Sequence, residues 1–509
     1  GLSNTSLTGA TVAITGAAYD LASPTYVATN ALGNLRVGVT TKTLAVDNAT
    51  ISNLAYQDKL AVVATGAAGL TLTNPADIAA GEAGNVTLGA SVAGSLTGNL
   101  SLAFTSKALT GTTLTDVTLA GGSIALTGAA YDYARATVGS SLALGNVRVG
   151  TLANLGVTNT VTTSAAYQDS LDVTATTAVG TLSLADPANI LAGKTGNVVL
   201  TAATAGSLAG DVALALTSNA NGVTGLTTTA LTGATIAVTG AAYDLASPTF
   251  ASTVVFGNVR RGATSTLAVT NTVLAGGNAA FQDKLDLATT ASNASLALTG
   301  ATASIVAGGS ANVVVTAAAA GSLAGSLTLG LTSNANGLAG LSDVALTAGN
   351  VTVTGASYDY ATATLGATAL AFGDVRTGTA RTASLTNTIL AGGNAAYQDS
   401  LDVAASTAVG TLALSAPAKL LAGQSGNVVV TAATAGSLAG SVALGLTSNA
   451  NGVTSLGNLA LDGATVAITG AAYDLASPTY VATNALGNLR VGVTTKTLAV
   501  DNATISNLA

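Results

Sequence analysis

The chain has 509 residues, of which 49% are hydrophobic and only 7% charged, with a net charge of −7, 60 glycines, 6 prolines and no His, Cys, Met or Trp. So much apolar content with so little charge excludes a disordered chain, and the length exceeds what a single core fills. The absences remove the imidazole base, the thiolate nucleophile, disulfides and the usual zinc or copper ligands, 15 scattered Lys and Arg make no nucleic-acid footprint, and no apolar run is long enough for a membrane span.

Internal repetition organises everything else. Residues 1–20 end in Tyr19-Asp20 and read as the last strand of a preceding unit. The same Tyr of Ala-Tyr-Asp (once Ser-Tyr-Asp) returns at 131, 243, 358 and 473, in steps of 112, 112, 115 and 115. These positions bound four units, 21–132, 133–244, 245–359 and 360–474, and leave 475–509 as the opening strands of a fifth. Within each unit the other anchors follow in fixed order. Gly-[Asn/Asp]-[Leu/Val]-Arg places Arg36, Arg148, Arg260, Arg376 and Arg490. Ala-[Tyr/Phe]-Gln-Asp places Tyr56, Tyr167, Phe281 and Tyr397, each two residues before Asp58, Asp169, Asp283 and Asp399. Ala-Gly-Ser-Leu places Ser95, Ser207, Ser322 and Ser437. Unit types alternate: Tyr-Asp-Leu follows at 19 and 243, Tyr-Asp-Tyr at 131 and 358. Residues 463–509 then repeat residues 9–55 without a change, an offset of 454. The chain therefore reads as a window on a longer array with an incomplete sandwich at each end. In a discrete chain, 475–509 is expected to take a strand from another copy.

Inside a unit the apolar period is two. Ile236 and Val238, Leu267 and Val269, and Leu327, Leu329 and Leu331 alternate with Thr, Ser, Ala or Gly, which predicts half-buried antiparallel strands. Asn221-Gly222, Asn336-Gly337 and Asn451-Gly452 predict tight reversals at positive φ. Residues 164–169 predict one helical turn. The aromatics at 56, 167, 281 and 397 are expected in the core or at a corner. A period near 114 is too long for a solenoid coil and suits a sandwich of about 100 residues plus a junction. The predicted fold is all-β: a tandem array of immunoglobulin-like antiparallel β-sandwich domains.

The stretches Leu144-Gly-Asn-Val-Arg-Val-Gly150, Phe256-Gly-Asn-Val-Arg-Arg-Gly262 and Phe372-Gly-Asp-Val-Arg-Thr-Gly378 each lead into an alternating strand ending Thr-Asn-Thr. This resembles the opening of the ASH (Hydin-like) immunoglobulin domains. The stretch 353–361 and the Thr-Ser-Asn-Ala-Asn-Gly segments resemble bacterial "choice-of-anchor D" surface repeat proteins. The resemblance covers essentially the whole chain and implies a secreted or surface-anchored repeat protein without an assigned activity.

Motifs with chemical meaning are weak. Ala192-Gly-Lys-Thr195 is similar to the end of a phosphate loop, but Ala stands at 188 where that loop needs Gly, and Glu82, Gly309 and Gln424 replace Lys194 in the other units. The 21 Asp and one Glu recur singly, in neither a paired-carboxylate nor a calcium-loop pattern. No catalytic residue, metal ligand or cofactor is expected. The regular Arg and Asp positions suggest instead that Arg36, Arg148, Arg260 and Arg376 pair with Asp58, Asp169, Asp283 or Asp399 across junctions and fix the angle between units, against the alternative of a solvated Arg beside a turn. The reading of function is structural: an extracellular or cell-surface bacterial fibre, sheath or filament whose partners are copies of itself, with no nucleic acid and no membrane span. The second reading is the stalk of a large surface adhesin.

Overall fold

The computed structural model describes residues 2–66, 68–492 and 494–503. Among them the chain forms strands and four single 3₁₀ turns. It divides into two compact units, one holding residues up to Asp244 with the loops Gly276–Phe281 and Leu338–Leu341, the other holding the rest. Each unit carries two pairs of sheets.

The first pair shows the plan. Strands β1 (Pro24–Tyr26), β2 (Thr29–Arg36), β3 (Thr41–Asn48), β4 (Lys59–Thr65), β5 (Leu70–Thr73), β6 (Ala83–Ala90), β7 (Gly94–Ser95), β8 (Gly98–Lys107), β9 (Val117–Thr118) and β10 (Gly122–Tyr131) follow in order. One sheet runs β1-β3-β6-β5 and the other β2-β10-β8-β4. The last strand thus lies between the second and the eighth, antiparallel to β8 and parallel to β2. The three later sandwiches repeat this order. The all-β, immunoglobulin-like tandem architecture is what the sequence predicts.

Alternation builds the core. In β8, Leu100, Leu102 and Phe104 are buried while Ser101 and Ala103 face out, because successive side chains point to opposite faces. Ile236, Val238, Leu267, Val269, Leu327, Leu329 and Leu331 are all buried. One apolar cluster fills each sandwich. The Asn-Gly reversals take positive φ at both residues, for example Asn221 at 50° and Gly222 at 73°, a region that Asn tolerates and Gly occupies freely.

The helical turn expected in 164–169 is a 3₁₀ turn at Ala165–Tyr167, with counterparts Leu54–Tyr56, Ala279–Phe281 and Ala395–Tyr397. Its aromatic is not a core residue. Tyr167, Phe281 and Tyr397 are half-buried and Tyr56 is exposed. Each packs at a tilt of 50° to 60° against the Tyr of the Tyr-Asp anchor, with ring centroids 5.4 to 5.6 Å apart. They form corners, because a turn at the sandwich end cannot reach the space between the sheets. Aromatics in the core are instead Phe104, packed against Tyr26, and Phe372.

Residues 2–19 contain no strand, contrary to the expectation of a last strand there. No neighbouring strand supplies the ladder that an isolated extended segment needs. Of the opening strands expected in 475–509, Pro478–Tyr480 pairs with Val500–Asn502. The end of that interval, 504–509, lies outside the described residues.

Candidate junction site

The junction begins with a fault in a strand. Strand β2 pairs parallel with β10, and the register slips so that Thr127 faces Ala31 but Gly128 faces Gly33. The extra residue in β2 is a bulge. Gly33 takes a φ of +69°, and a Cβ on Gly128 would lie 2.5 Å from the Gly33 carbonyl oxygen, so glycine is required on both strands. The bulge shifts the alternation by one. Leu32 and Leu35, three residues apart, both enter the core, and Asn34 and Arg36 share the outward face. The same glycine pair recurs at Gly145 and Gly240, Gly257 and Gly355, and Gly373 and Gly470.

Arg36 projects from this face onto the second sandwich. Its Nη1 donates to Asp169 Oδ1 at 2.8 Å and its Nη2 to the Thr227 carbonyl at 3.2 Å. The guanidinium lies over the Tyr133 ring, 4.7 Å from its centroid. Asn34 Nδ2 donates to the Thr224 carbonyl at 2.9 Å. The second compact unit contains the same arrangement. Arg260 Nη1 donates to Asp399 Oδ1 at 3.0 Å and Nη2 to the Gly457 carbonyl at 3.1 Å. Its guanidinium sits 4.2 Å from the Tyr360 centroid, and Asn258 Nδ2 reaches the Thr454 carbonyl at 3.2 Å.

The acceptor is prepared within its own sandwich. Asp169 Oδ2 accepts from Ser218 Oγ at 2.6 Å, and that hydroxyl accepts from the Ala134 N–H at 2.8 Å. Fully buried Asn159 donates to the carbonyls of Asp169 and Ile190, and Gln168 donates to Asn159 Oδ1. Oδ1 of Asp169 is the oxygen this network leaves for Arg36. The Arg36–Asp169 pair has side chains 6% and 1% exposed. Removing one member of such a buried, hydrogen-bonded pair costs roughly 3–5 kcal/mol, because the other charge stays buried without its partner.

Of the residues singled out in the sequence, Arg36 meets Asp169 and Arg260 meets Asp399. Asp58 and Asp283 sit in the same buried networks, their Oδ2 atoms accepting from Ser106 at 2.8 Å and Ser333 at 2.7 Å. Arg148 ends the strand Ser141–Arg148 and is half-buried. Arg376 is exposed, and its Nη1 donates to the Asp474 carbonyl at 2.8 Å. Two layers were missed. The first is the buried Asn and Ser: Asn48, Asn159, Asn271 and Asn387, with Ser106, Ser218, Ser333 and Ser448. Their signal was present, since a polar residue at one fixed place in every alternating strand needs a buried partner. The second is the aromatic platform. The alternation of Tyr-Asp-Tyr with Tyr-Asp-Leu places Tyr133 and Tyr360 under an arginine.

Other motifs resolve as structure. Ala192-Gly-Lys-Thr195 is a turn into the strand Thr195–Ala202, where the Lys194 N–H donates to the Leu191 carbonyl and the Asn159 N–H donates to that of Lys194. Glu82 and Gln424 make the same two bonds, so the side chain at this place is free to vary. Among the described residues no group of three His, Cys, Asp or Glu is placed to hold a metal ion, and no helix is long and apolar enough to cross a membrane.

No family model matches the chain, and no curated protein does. Solved structures similar to it include a three-domain fragment of titin, I67–I69, at 9% identity over 66% of this chain and 99% of that one, TM-score 0.28. Drosophila N-cadherin EC1–4 is similar at 9% identity over 87% of this chain and 99% of that one, TM-score 0.25. Surface layer protein SbsC, domains 1–6, is similar at 12% identity over 84% of this chain and 66% of that one, TM-score 0.17.

Proposed function

We propose that this chain is a non-enzymatic structural protein of the bacterial exterior, building a fibre, sheath or surface filament by self-association of its sandwiches. The observation that carries the reading is the Arg–Asp–Tyr clamp, made with the same donors and acceptors from Arg36 and from Arg260. A buried ion pair, an aromatic stack and two further hydrogen bonds oppose bending at the joint they span, and a load-bearing string needs stiff joints. The composition supports it. Few charges keep repulsion between neighbouring faces low, and the absence of Cys and Met removes the most oxidation-prone side chains, which suits a long-lived extracellular material. Strict repetition gives each copy the same contact surfaces, the condition for an open, non-closing assembly. The resemblance to choice-of-anchor D and ASH proteins points to the same location.

The stiff joints favour a second reading equally, the stalk of a surface adhesin. Negative-stain microscopy of the native material separates them. Regular filaments are expected from the first reading. Isolated rods ending in a distinct tip would support the stalk and reject the filament.

A further inference from the structure

We infer that Arg261 is a second pin of the joint between the third and fourth sandwiches, holding the buried carboxylate of the linker residue Asp359 and making this joint tighter than the one between the first and second. The inference rests on the stiff-joint reading and adds to it a residue that no other repeat shares.

Arg261 directly follows Arg260. Its Nε donates to the Ala318 carbonyl at 2.8 Å, which seats the side chain on its own sandwich. Its Nη1 lies 3.8 Å from Asp359 Oδ1, with side chains 38% and 3% exposed. Asp359 is where one sandwich passes into the next. Its N–H donates to the Tyr397 carbonyl at 2.9 Å, and its carbonyl accepts from the Asp399 N–H at 3.0 Å. Asp399 is the carboxylate that receives Arg260. The two arginines therefore hold two carboxylates already tied to each other through the main chain, and the joint is fixed at two points. A carboxylate this buried needs a donor or a countercharge. Oδ2 of Asp359 has no hydrogen-bond partner among the described residues, and Arg261 supplies the countercharge.

The other repeats show what Arg261 replaces. In the first sandwich Ser52 donates to the carboxylate of Asp20, the counterpart of Asp359. Gly393 stands at the place of Ser52 in the fourth sandwich, and a Cβ there would lie 3.1 Å from Asp359 Oδ2. The hydroxyl donor is gone, and a cation from the preceding sandwich faces the other oxygen instead. At the first joint the main chain is the same. The Val37 N–H donates to the Tyr131 carbonyl at 3.2 Å, as the Arg261 N–H donates to that of Tyr358 at 3.1 Å. The side chain there is valine, and Asp132 is buried with no hydrogen-bond partner for its Oδ2 among the described residues. Val149 and Thr377 stand at this place in the remaining repeats. An ion pair with one exposed member is screened by salt, and a buried pair such as Arg36–Asp169 much less.

The chain has no Cys, so introduced cysteines carry spin labels without competition. Double electron–electron resonance on the full 509-residue chain then reads the spread of distances across each joint. Val255→Cys with Leu421→Cys spans the joint held by Arg261, and Ala31→Cys with Leu191→Cys spans the first, all four sites being exposed. The spread is expected to be narrower across the joint held by Arg261. Arg261→Gln should raise the open fraction of that joint about two- to fivefold. Salt at about 1 M should do the same to the wild type, and Arg261→Lys, which keeps the charge, should restore part of the order. In a carbon NMR titration Arg261→Gln should also move the Asp359 carboxyl to higher pH, since the guanidinium pulls it down; a side chain that only fills space would not do this. Arg261 is partly exposed, so its variants keep the fold, and thermal melting checks this. Equal spreads that Arg261→Gln leaves unchanged, with the Asp359 titration unmoved, would overturn the pin and leave the stiff-joint reading standing. Broad spreads across both joints of the wild type would overturn both.

Discussion

Residues 9–55 and residues 463–509 have the same sequence, and where both copies are described their structures differ. In the first copy, 10–19 contains no strand and Ile14 is 93% exposed. In the second, the same residues are the strand Ala464–Tyr473, and Ile468 is 1% exposed. The contrast then reverses. Residues 24–48 supply three strands of a full sandwich with Leu35 fully buried, whereas 478–502 supplies one short pair of strands and leaves Leu489 40% exposed. Local propensity is identical in the two copies, so it explains none of this. What differs is the neighbour: 464–473 lies between 369–376 and 440–449, and 24–48 lies against strands contributed by residues 83–90 and 122–131. Strand formation here is a property of the ladder and the core, not of the segment.

The contrast can be broken by paired substitutions. The largest difference is expected between Ile468→Ala and Ile14→Ala: about 2–5 kcal/mol lost at the buried site and within about 0.5 kcal/mol of zero at the exposed one, read by denaturant unfolding. Leu35→Ala and Leu489→Ala should show the opposite order along the sequence, the first copy now being the sensitive one. Equal effects within either pair would mean that the two copies have the same structure.

The clamp is tested the same way. Arg36→Ala should cost roughly 3–5 kcal/mol, and Arg490→Ala, the same sequence position and exposed, should cost almost nothing. A double-mutant cycle of Arg36→Ala with Asp169→Asn isolates the pair, and residual dipolar couplings across the joint report its order. Unchanged order in Arg36→Ala would reject the clamp as what fixes the angle. Gly470→Ala should cost about 1–3 kcal/mol, since a Cβ there meets the Gly373 carbonyl oxygen at 2.5 Å, while Gly16→Ala, with open space around it, should be silent in the same melt.

The smallest effect concerns Asp359, which is buried in its sandwich. Burial pushes its carboxyl above the ordinary carboxylate range, with Arg261 pulling the other way. Folding then favours the protonated form, so this contribution to stability falls as pH rises through the raised value and is recovered on acidification. Asp359→Asn should flatten that segment of the stability–pH curve. An unaltered slope would mean that the group titrates as it does in the unfolded chain.

Much of this is legible in the sequence. Apolar alternation announced the strands and Asn-Gly the reversals, and of the regularly spaced Arg and Asp residues the structure pairs Arg36 with Asp169 and Arg260 with Asp399. The bulge was not. A strict period of two puts Leu32, Asn34 and Arg36 on one face, and the slip that sends Leu35 inward and Arg36 outward is set by pairing with Gly128, far away in sequence. Nor was the place of Tyr56, Tyr167, Phe281 and Tyr397, because an aromatic ring suits a corner as well as a core until the turn that holds it is known.

The sequence by itself determined the repeat, its two alternating unit types, the all-β alternation and the absence of His and Cys chemistry, because these are written in order and composition. Only the tertiary structure decided which copy of one segment becomes a strand, which face an arginine takes and which carboxylate receives it. Those outcomes depend on hydrogen-bond ladders and burial supplied by residues about a hundred positions away, and identical sequences given different neighbours fold differently.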